Sequence, residues 1–436
     1  MSKTNPARGM RDFLSSDIRK REYVVGVIKE VYQSFGFEPL ETPAVENIET
    51  LLGKYGEEGN QLIFKILKRG EHEKSGVADL ALRYDLTVPF SRVVANNRGE
   101  LPKFFKRYQI QPVWRADRPA KGRFREFYQC DVDAIGSKSI VVDAEILSAI
   151  SAVLSRLGFE DFVIRLNHRE LLREMLDASG IAENLQSNAL VSIDKLDKIG
   201  VEGVKIDLAE RGISQDSAEK ILNLFNEISN LNDNAAILNK ISAFIGGETE
   251  SIKSLRQILE VSANSHLKID ASLARGLSYY TGVIMEAEII GSDFRGSVGG
   301  GGRYDELIGM FCNEQIPACG FSLGLERLIV VMDERGMFPP ELENNFTDVL
   351  VTLWSAETTG ESLKLANDLR GAGLRVSVYP ETDKLGKQFK YAASNNAKFV
   401  CVIGENEIAE EKVTIKNMQS GEQETILRSE IEKFFA

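Results

Sequence analysis

The residue types that build metal centres, disulfide scaffolds and Ser-His-Asp triads are scarce in this chain. Its 436 residues include only four cysteines and three histidines. No two cysteines form a Cys-x-x-Cys pair, and a chain of this length can bury a core without disulfides. We therefore expect no metal site, no disulfide framework and no triad. The residues concerned are Cys130, Cys312, Cys319, Cys401, His72, His168 and His266.

Long apolar runs are also missing. No run approaches the roughly 18 residues of a membrane span, and the polar residues 1–13 lack the apolar core of a secretory signal. The net charge of −12 excludes a surface that is basic throughout, so contact with nucleic acid requires a local basic patch. We expect a cytoplasmic protein that binds no membrane.

The order of helix-like and strand-like segments predicts several domains. Residues 168–262 are helical in pattern, whereas strand-like sequence precedes and follows them, so this block is predicted to be an insertion into a domain formed by 1–167 and 263–335. Residues 336–347 form a predicted linker. Residues 348–436 alternate strands and helices and end in a helix at 426–435, a pattern typical of an α/β domain with some parallel pairing.

A long β-hairpin with a basic loop is predicted at residues 103–135. Eight basic residues and one acidic residue, Asp117, lie between Lys103 and Arg125. Arginine suits phosphate because its planar group donates two parallel hydrogen bonds. The hairpin is therefore a candidate polyanion site, with Arg115 on a strand that faces a pocket. The alternative is a solvated hairpin face.

Two blocks rich in glycine, arginine and tyrosine follow the helical segment. Residues 275–282 read Arg-Gly-Leu-Ser-Tyr-Tyr-Thr-Gly, and residues 299–305 read Gly-Gly-Gly-Gly-Arg-Tyr-Asp. Glycine permits close approach of a ligand to the backbone, although a tight turn or a bulge also uses it. Neither the dinucleotide-binding glycine signature nor a phosphate loop that ends in Gly-Lys-Ser/Thr is present in its structural setting. We predict one pocket for a ligand that carries phosphate.

Acceptor side chains alternate along the second strand of the hairpin. The alternation puts Gln129, Asp131 and Asp133 on one face, where they would hold an ammonium group or an imidazole, unless the face is only hydrated. Asp85 and Thr87 lie in another strand-like segment. Arg327 falls in the first turn of an amphipathic helix and either points back towards the preceding strand or lies on the surface.

In their order along the chain these segments resemble the histidyl-tRNA synthetases, a family of class II aminoacyl-tRNA synthetases. Residues 41–46, 105–129 and 320–328 resemble class II motifs 1, 2 and 3. Residues 8–12 and 82–89 also match, and the blocks at 275–282 and 300–305 resemble the histidine-specific signatures. The resemblance implies an α+β fold: an antiparallel six-stranded sheet flanked by helices, with a helical insertion and a C-terminal α/β anticodon-binding domain. It also implies a homodimer, formed through motif 1.

The resemblance further implies a histidine–tRNA ligase. L-Histidine would attack the α-phosphate of ATP, which binds with Mg²⁺, to give histidyl-adenylate and pyrophosphate; the histidyl group would then pass to the 3′-terminal adenosine of tRNA(His). Arg115 and Arg275 would be catalytic, and both would bind ATP together with Arg327. Arg118 and Lys121 would contact the tRNA acceptor end. The implied histidine-binding residues are Asp85, Leu86, Thr87, Arg115, Gln129, Asp133, Arg275, Tyr279, Tyr280 and Tyr304.

One position departs from the family pattern. Ser278 stands where the family usually has aspartate, so a hydrogen-bonding group is kept and a negative charge is lost. Two alternatives remain: a catalytically inactive, synthetase-like regulatory subunit of ATP phosphoribosyltransferase, and a synthetase for another amino acid. The presence of all three arginines and of the C-terminal domain favours the active enzyme, and the tyrosine-rich blocks favour histidine.

Overall fold

A computed structural model describes residues 4–262, 264–274, 279–291, 296–342 and 347–435. The chain divides into two compact units, Met1–Met337 and Phe338–Ala436. The helices of the first unit are α1 (Ser15–Ser34), α2 (Ile48–Leu51), α3 (Gly56–Gln61), α4 (Thr87–Asn97), α5 (Ile140–Arg156), α6 (Arg169–Ala178), α7 (Glu183–Ile193), α8 (Leu196–Glu210), α9 (Gln215–Ser229), α10 (Asn234–Ile245), α11 (Glu250–Ser262) and α12 (Leu325–Glu334). Its strands are β1 (Glu38–Pro39), β2 (Val45–Asn47), β3 (Lys65–Leu67), β4 (Ala78–Leu82), β5 (Phe105–Trp114), β6 (Glu126–Ile135), β7 (Phe162–His168), β8 (Leu267–Ile269), β9 (Val283–Ile289), β10 (Gly299–Arg303) and β11 (Ala318–Gly324).

An eight-stranded sheet forms the centre of this unit, in the order β1-β5-β6-β11-β10-β9-β7-β8. The six middle strands are antiparallel to one another, which confirms the predicted antiparallel six-stranded arrangement. The edge strands β1 and β8 pair in parallel with β5 and β7 and extend the sheet beyond the six strands that the resemblance implies. The predicted hairpin is β5–β6.

The two faces of this sheet differ in polarity. Cross-strand register places Arg107 opposite Asp133 and Gln109 opposite Asp131, and all four side chains are buried on one face. The intervening residues, such as the fully buried Val132, lie on the other face, because side chains alternate along a strand. Helices α1, α5 and α12 pack against the sheet strands β5, β6 and β11. The polar face is therefore the one available for a ligand.

A helix replaces the strand predicted around Asp85. Residues 84–86 form a loop and α4 begins at Thr87. The carboxylate of Asp85 accepts a hydrogen bond from the backbone N–H of Val88 at 3.1 Å, which satisfies a donor that the first turn of the helix leaves free. Pro89 lies in that first turn, where a missing N–H is tolerated. The strand prediction was wrong because the local turn chemistry was not recognised.

The helical block lies between two adjacent strands. Helices α6 to α11 follow β7 and precede β8, and these two strands pair in parallel with Ile164 opposite Leu267. Each long helix buries one apolar stripe: in α9 the stripe includes Ile221, Phe225 and Ile228. The kink in α8 falls at Gly200, whose φ of 68° is in the left-handed region.

The second unit is an α/β domain. Its strands are β12 (Val349–Val351), β13 (Val376–Val378), β14 (Phe399–Val402), β15 (Lys412–Asn417) and β16 (Gln423–Leu427), and its helices are α13 (Thr359–Gly371), α14 (Leu385–Ser394), α15 (Glu405–Ala409) and α16 (Ile431–Phe435). Strand β12 pairs in parallel with β13 and β14, as predicted. The single helix predicted over 426–435 is instead the end of β16, a 3-10 turn and α16. No helix within the described residues is long and apolar enough to cross a membrane.

Candidate functional site

A deep cavity opens on the polar face of the eight-stranded sheet. It encloses about 1220 Å³, counting the open space at its mouth. Eight residues predicted to bind substrate line it: Thr87, Arg115, Gln129, Asp133, Tyr279, Tyr280, Tyr304 and Arg327. The structure therefore brings together residues from the motif 2 hairpin, both histidine-type blocks and the motif 3 helix.

Arg115 lies at the mouth of the cavity, immediately after β5. Its Nε donates to the backbone carbonyl of Tyr84 at 3.0 Å, and its guanidinium carbon lies 4.3 Å from the centre of the Tyr84 ring and 5.2 Å from that of Phe127. This stacking fixes the plane of the guanidinium while leaving its two Nη groups for an anion. The position suits a phosphate or carboxylate ligand.

Arg327 lies on the first turn of α12. Its Nη1 donates to the backbone carbonyl of Ser297 at 2.6 Å, and its Nε to that of Gly122 at 3.4 Å. The neighbouring Glu326 is 3% exposed and anchors this helix: it accepts from Arg21 Nη1 at 2.8 Å and from the backbone N–H of Tyr128 at 2.9 Å. Glu326 thus ties the motif 3 helix α12, which carries Arg327, to the motif 2 strand β6.

The floor of the cavity carries two aspartates and a buried arginine. Nη2 of Arg107 lies 2.8 Å from Oδ2 of Asp133 and 3.6 Å from Oδ2 of Asp131. Burial raises the pKa of the Asp131 carboxyl to about 7; Arg107 opposes this shift and Asp133 adds to it. Burial also raises the pKa of Asp133. One guanidinium, that of Arg107, contacts both carboxylates. A cationic or hydrogen-donating ligand would therefore stabilise their ionised form.

Aromatic side chains close the deep end of the cavity. Tyr304 is 1% exposed and its hydroxyl donates to Oδ1 of Asp133 at 2.5 Å. A Cβ on Gly320 would lie 1.9 Å from the same oxygen, and a Cβ on Gly302 would lie 2.9 Å from Cδ1 of Tyr280. Glycine is therefore required on both strands to leave room for these side chains. The glycine run forms β10 and is neither a turn nor a bulge.

Asp85 and Leu86 do not line the cavity. Asp85 is 0% exposed, and its carboxylate accepts hydrogen bonds from the hydroxyl of Tyr55 at 2.8 Å, the hydroxyl of Tyr279 at 3.0 Å and the backbone N–H of Val88. Leu86 is fully buried. Asp85 therefore orients a tyrosine of the cavity wall.

The predicted basic set does not form one surface. Arg107 points into the interior, and Lys106 pairs with Glu145 at 2.7 Å. Arg118 and Lys121 are exposed in the loop between β5 and β6, and Lys121 pairs with Glu334 at 2.5 Å. The exposed basic residues of this set are therefore Arg118, Lys121 and Arg123 in the loop, and Lys103 just before β5.

Arg275 and Ser278 lie outside the described residues. Sequence reasoning gave no role to Ser322 and Glu286, which line the cavity, and did not place the buried Arg107 beside the cavity aspartates that it contacts. The hairpin pattern contained a signal for Arg107, because pairing the strands outward from the loop places it opposite Asp133.

Comparisons with known proteins agree with this geometry. A family model described as histidyl-tRNA synthetase matches residues 9–328, and one described as an anticodon binding domain matches residues 348–436. The chain is 41% identical over 442 residues to the histidine–tRNA ligase of Christiangramia forsetii, with 96% of each chain covered. It is 42% identical over 449 residues to that of Porphyromonas gingivalis, with 98% of this chain and 97% of the relative covered.

A solved structure shows the same architecture. The crystal structure of histidyl-tRNA synthetase from Nostoc sp. PCC 7120 matches with a TM-score of 0.79 at 32% identity, and the match covers 100% of this chain and 99% of that chain. The sequence motifs, the cavity and these full-length similarities lead to one conclusion. The chain belongs to the histidyl-tRNA synthetase family and is an aminoacyl-tRNA synthetase enzyme.

Proposed function

We propose that the cavity on the polar sheet face is the place where this histidine–tRNA ligase activates histidine with ATP and transfers it to tRNA(His). The observation that carries this proposal is the separation of charge within the cavity. Arg115 follows the loop end of the β5–β6 hairpin and Arg327 bonds the loop carbonyl of Gly122, whereas Asp131 and Asp133 lie further along β6, away from the loop. Such a cavity matches a ligand with a phosphate at one end and hydrogen-donating groups at the other.

The arginines act at the phosphate end. Arg115 binds the α-phosphate and steadies the histidine carboxylate that attacks it, while Arg327 binds the adenine and the far phosphates. By resemblance Arg275 offsets the negative charge that grows at the α-phosphate in the transition state. The nucleophile is the substrate carboxylate itself, so the protein contributes orientation and charge and no covalent intermediate with a side chain.

The floor of the cavity binds histidine. The imidazole lies against Asp133, Tyr280 and Tyr304, because a carboxylate accepts the ring N–H and the aromatic rings supply flat apolar walls. Thr87 and Gln129 receive the α-ammonium group, and Tyr279 forms part of the wall. Asp85 acts through Tyr279, which it holds by a hydrogen bond of 3.0 Å, and Leu86 is fully buried.

Mg²⁺ fits this cavity as a companion of ATP. Within the described residues no group of three or more His, Cys, Asp or Glu side chains could hold a metal ion. Mg²⁺ usually binds through one or two carboxylates, several waters and the substrate phosphates. Glu286 lines the cavity and is the carboxylate that would hold the ion. Bound there, Mg²⁺ would neutralise phosphate oxygens.

We propose that the tRNA contacts more than one part of the chain. Residues 1–167 and 263–335 form the catalytic domain, 168–262 the helical insertion, 336–347 the linker and 348–436 the anticodon-binding domain. Arg118 and Lys121 on the exposed motif 2 loop contact the acceptor end. Charging tRNA for protein synthesis places the enzyme in the cytoplasm.

We propose a homodimer that forms through the motif 1 region. Strands β2, β4 and β3 form a separate three-stranded sheet, and the large apolar side chains of Val45, Leu67 and Val77 on or beside it are 39%, 51% and 51% exposed. Exposed apolar surface of this kind marks an interface. Replacing Leu67 with glutamate should halve the mass measured by light scattering, whereas the same change at Leu363, which is 46% exposed in the other unit, should not.

The test of the activity is histidine-dependent exchange of pyrophosphate with ATP. The protein should catalyse this exchange with histidine and with no other amino acid. Arg115→Ala should abolish it, and Arg275→Ala should lower kcat far more than it raises KM for histidine, because its charge matters most in the transition state. Arg156→Ala, on an exposed arginine paired with Glu30, is the matched control. Absence of exchange with histidine would refute the proposal, and exchange with a different amino acid would refute the specificity.

A further inference from the structure

The N-terminal segment that precedes α1, residues 8–13, packs on the loop of the β5–β6 hairpin. The backbone carbonyl of Gly9 accepts a hydrogen bond from the N–H of Arg125 at 2.8 Å. The carbonyl of Arg125 in turn accepts from the N–H of Arg115 at 2.9 Å. A continuous chain of backbone hydrogen bonds therefore runs from the N-terminal segment to Arg115, the residue proposed to bind the α-phosphate.

The backbone at Gly9 leaves no room for a side chain. Its φ of 83° lies in the left-handed region, which favours glycine. A Cβ at this position would lie 2.9 Å from Cγ of Pro119 and 2.9 Å from Cγ of Arg125. These two residues lie on either side of the turn at 120–123. The N-terminal segment is therefore in close contact with both arms of the motif 2 loop.

Arg11 lies over the ring of Phe124, a residue of the cavity wall. The guanidinium carbon of Arg11 is 3.4 Å from the centre of that ring, which is within the range of a cation–π contact. Phe124 lines the cavity next to Gly122 and Arg123, and the carbonyl of Gly122 accepts from Nε of Arg327 at 3.4 Å. Arg11 itself is exposed and does not line the cavity. It therefore acts through Phe124 and not by touching a ligand.

Arg21 of α1 anchors the other end of the N-terminal segment. Its guanidinium carbon lies 4.2 Å from the centre of the Phe13 ring and 4.7 Å from that of the Tyr128 ring. Its Nη1 donates to Glu326 of α12 at 2.8 Å, and the side chains of Arg21 and Glu326 are only 10% and 3% exposed. The segment is therefore held at both ends, by α1 and α12 at Phe13 and by the hairpin at Gly9.

We propose that the N-terminal segment is a positioning element for ATP, in which Gly9 and Arg11 hold the motif 2 loop where it contacts the nucleotide. The inference rests on the proposed histidine–tRNA ligase function. A loop that is ordered before ATP binds loses less conformational entropy on binding, so the affinity for ATP increases. Gln129 and Asp133 lie further along β6, away from the loop. The effect should therefore fall on ATP and not on histidine.

The direct test is pyrophosphate exchange with Arg11→Met, a change that keeps the length of the side chain and removes its charge. KM for ATP should rise about two- to fivefold, which corresponds to about 0.5–1 kcal/mol for an exposed cation–π contact. KM for histidine should stay at the wild-type value. Arg11→Lys, which keeps a cation, should recover part of the loss. Arg156→Met, at an exposed arginine paired with Glu30, is the matched control. An unchanged KM for ATP, or an equal rise in both constants, would overturn the proposal.

A double substitution tests whether Arg11 acts through Phe124. Phe124→Leu should raise KM for ATP by itself. Adding Arg11→Met to it should raise KM further by less than the factor that Arg11→Met causes alone, because both changes remove the same contact. Two factors that multiply in full would contradict this route. Gly9→Ala should raise KM for ATP at least as much as Arg11→Met, since it displaces the carbonyl that bonds Arg125.

A measurement on the unmodified protein does not depend on the folding of any variant. Coupling between two sites is reciprocal, so ATP must in turn stabilise the docked segment. An ATP analogue with a methylene group between its α and β phosphates should slow hydrogen–deuterium exchange in residues 9–13, whereas histidine alone should not. Uptake that the analogue leaves unchanged would refute the inference. Histidine-dependent exchange with a wild-type KM for ATP in Arg11→Met would also refute it and leave the enzyme function standing, whereas the proposed function fails only if the unmodified protein shows no exchange.

Discussion

Replacing Gly320 with alanine tests how tightly the histidine end of the cavity is built. The new Cβ would lie 1.9 Å from Oδ1 of Asp133, whereas carbon and oxygen in contact lie about 3.3–3.6 Å apart. The carboxyl must therefore move by more than about 1 Å, which lengthens the 2.5 Å hydrogen bond from Tyr304 beyond the range of a good hydrogen bond. A hydrogen bond to a charged group contributes about 1.5–3 kcal/mol.

The expected result is a rise of about 10- to 100-fold in KM for histidine, since each 1.4 kcal/mol corresponds to a factor of ten. KM for ATP should change little, because Arg115 and Arg327 lie near the hairpin loop, whereas Asp133 lies further along β6. Pyrophosphate exchange at varied histidine and fixed ATP measures both constants. Gly26→Ala in α1 is the control, since nothing lies within 4 Å of its new Cβ. A Gly320→Ala enzyme whose KM for histidine stays near the wild-type value would show that Asp133 does not set histidine affinity.

Three further outcomes follow from contacts in the two units. Tyr304→Phe should raise KM for histidine about tenfold, and combining it with Gly320→Ala should add little, because both changes break the hydrogen bond to Asp133. The pKa of Asp131 is raised in the folded state, from an unfolded value near 4 to about 7. The ionised carboxyl therefore lowers the free energy of unfolding as the pH rises through this range. Urea denaturation should show that Asp131→Asn changes the free energy of unfolding more favourably at pH 8 than at pH 5. Gln388→Leu should destabilise the C-terminal unit by about 2–4 kcal/mol in thermal denaturation, because Gln388 bonds both the N–H and the carbonyl of Leu353, at 2.9 and 2.7 Å.

Long periodic segments of the fold were predictable from the sequence. The β5–β6 hairpin and the parallel strands of the C-terminal unit were predicted, because each has a clear pattern of alternation bounded by turn residues. The edge strands β1 and β8 contain two and three residues, too few for any period to be visible. The final helix was overextended because the apolar positions of β16 continue into α16 without a strong break.

The sequence predicted which residues belong to the candidate site better than it predicted the contacts between them. Motif order identified Arg115, Asp133 and Tyr280, which share the cavity. Two contacts depend on which side chains meet across loops and strands. Asp85 accepts hydrogen bonds from hydroxyl and amide donors, and the buried Arg107 pairs with Asp133. A single sequence contains no direct signal for such pairs, apart from the strand register.

The floor of the cavity has a consequence for the synthesis of the protein. It joins β6 to β11 through the bond from Gln129 to Ser322, which are 193 residues apart, and it joins Asp133 to Tyr304, 171 residues apart. A nascent chain that has emerged only as far as the end of the helical block contains the β5–β6 hairpin but lacks β11, the strand that pairs with β6. Histidine activation therefore begins only after nearly the whole first unit has left the ribosome, and fragments that end before β11 have no cavity floor on which to hold histidine.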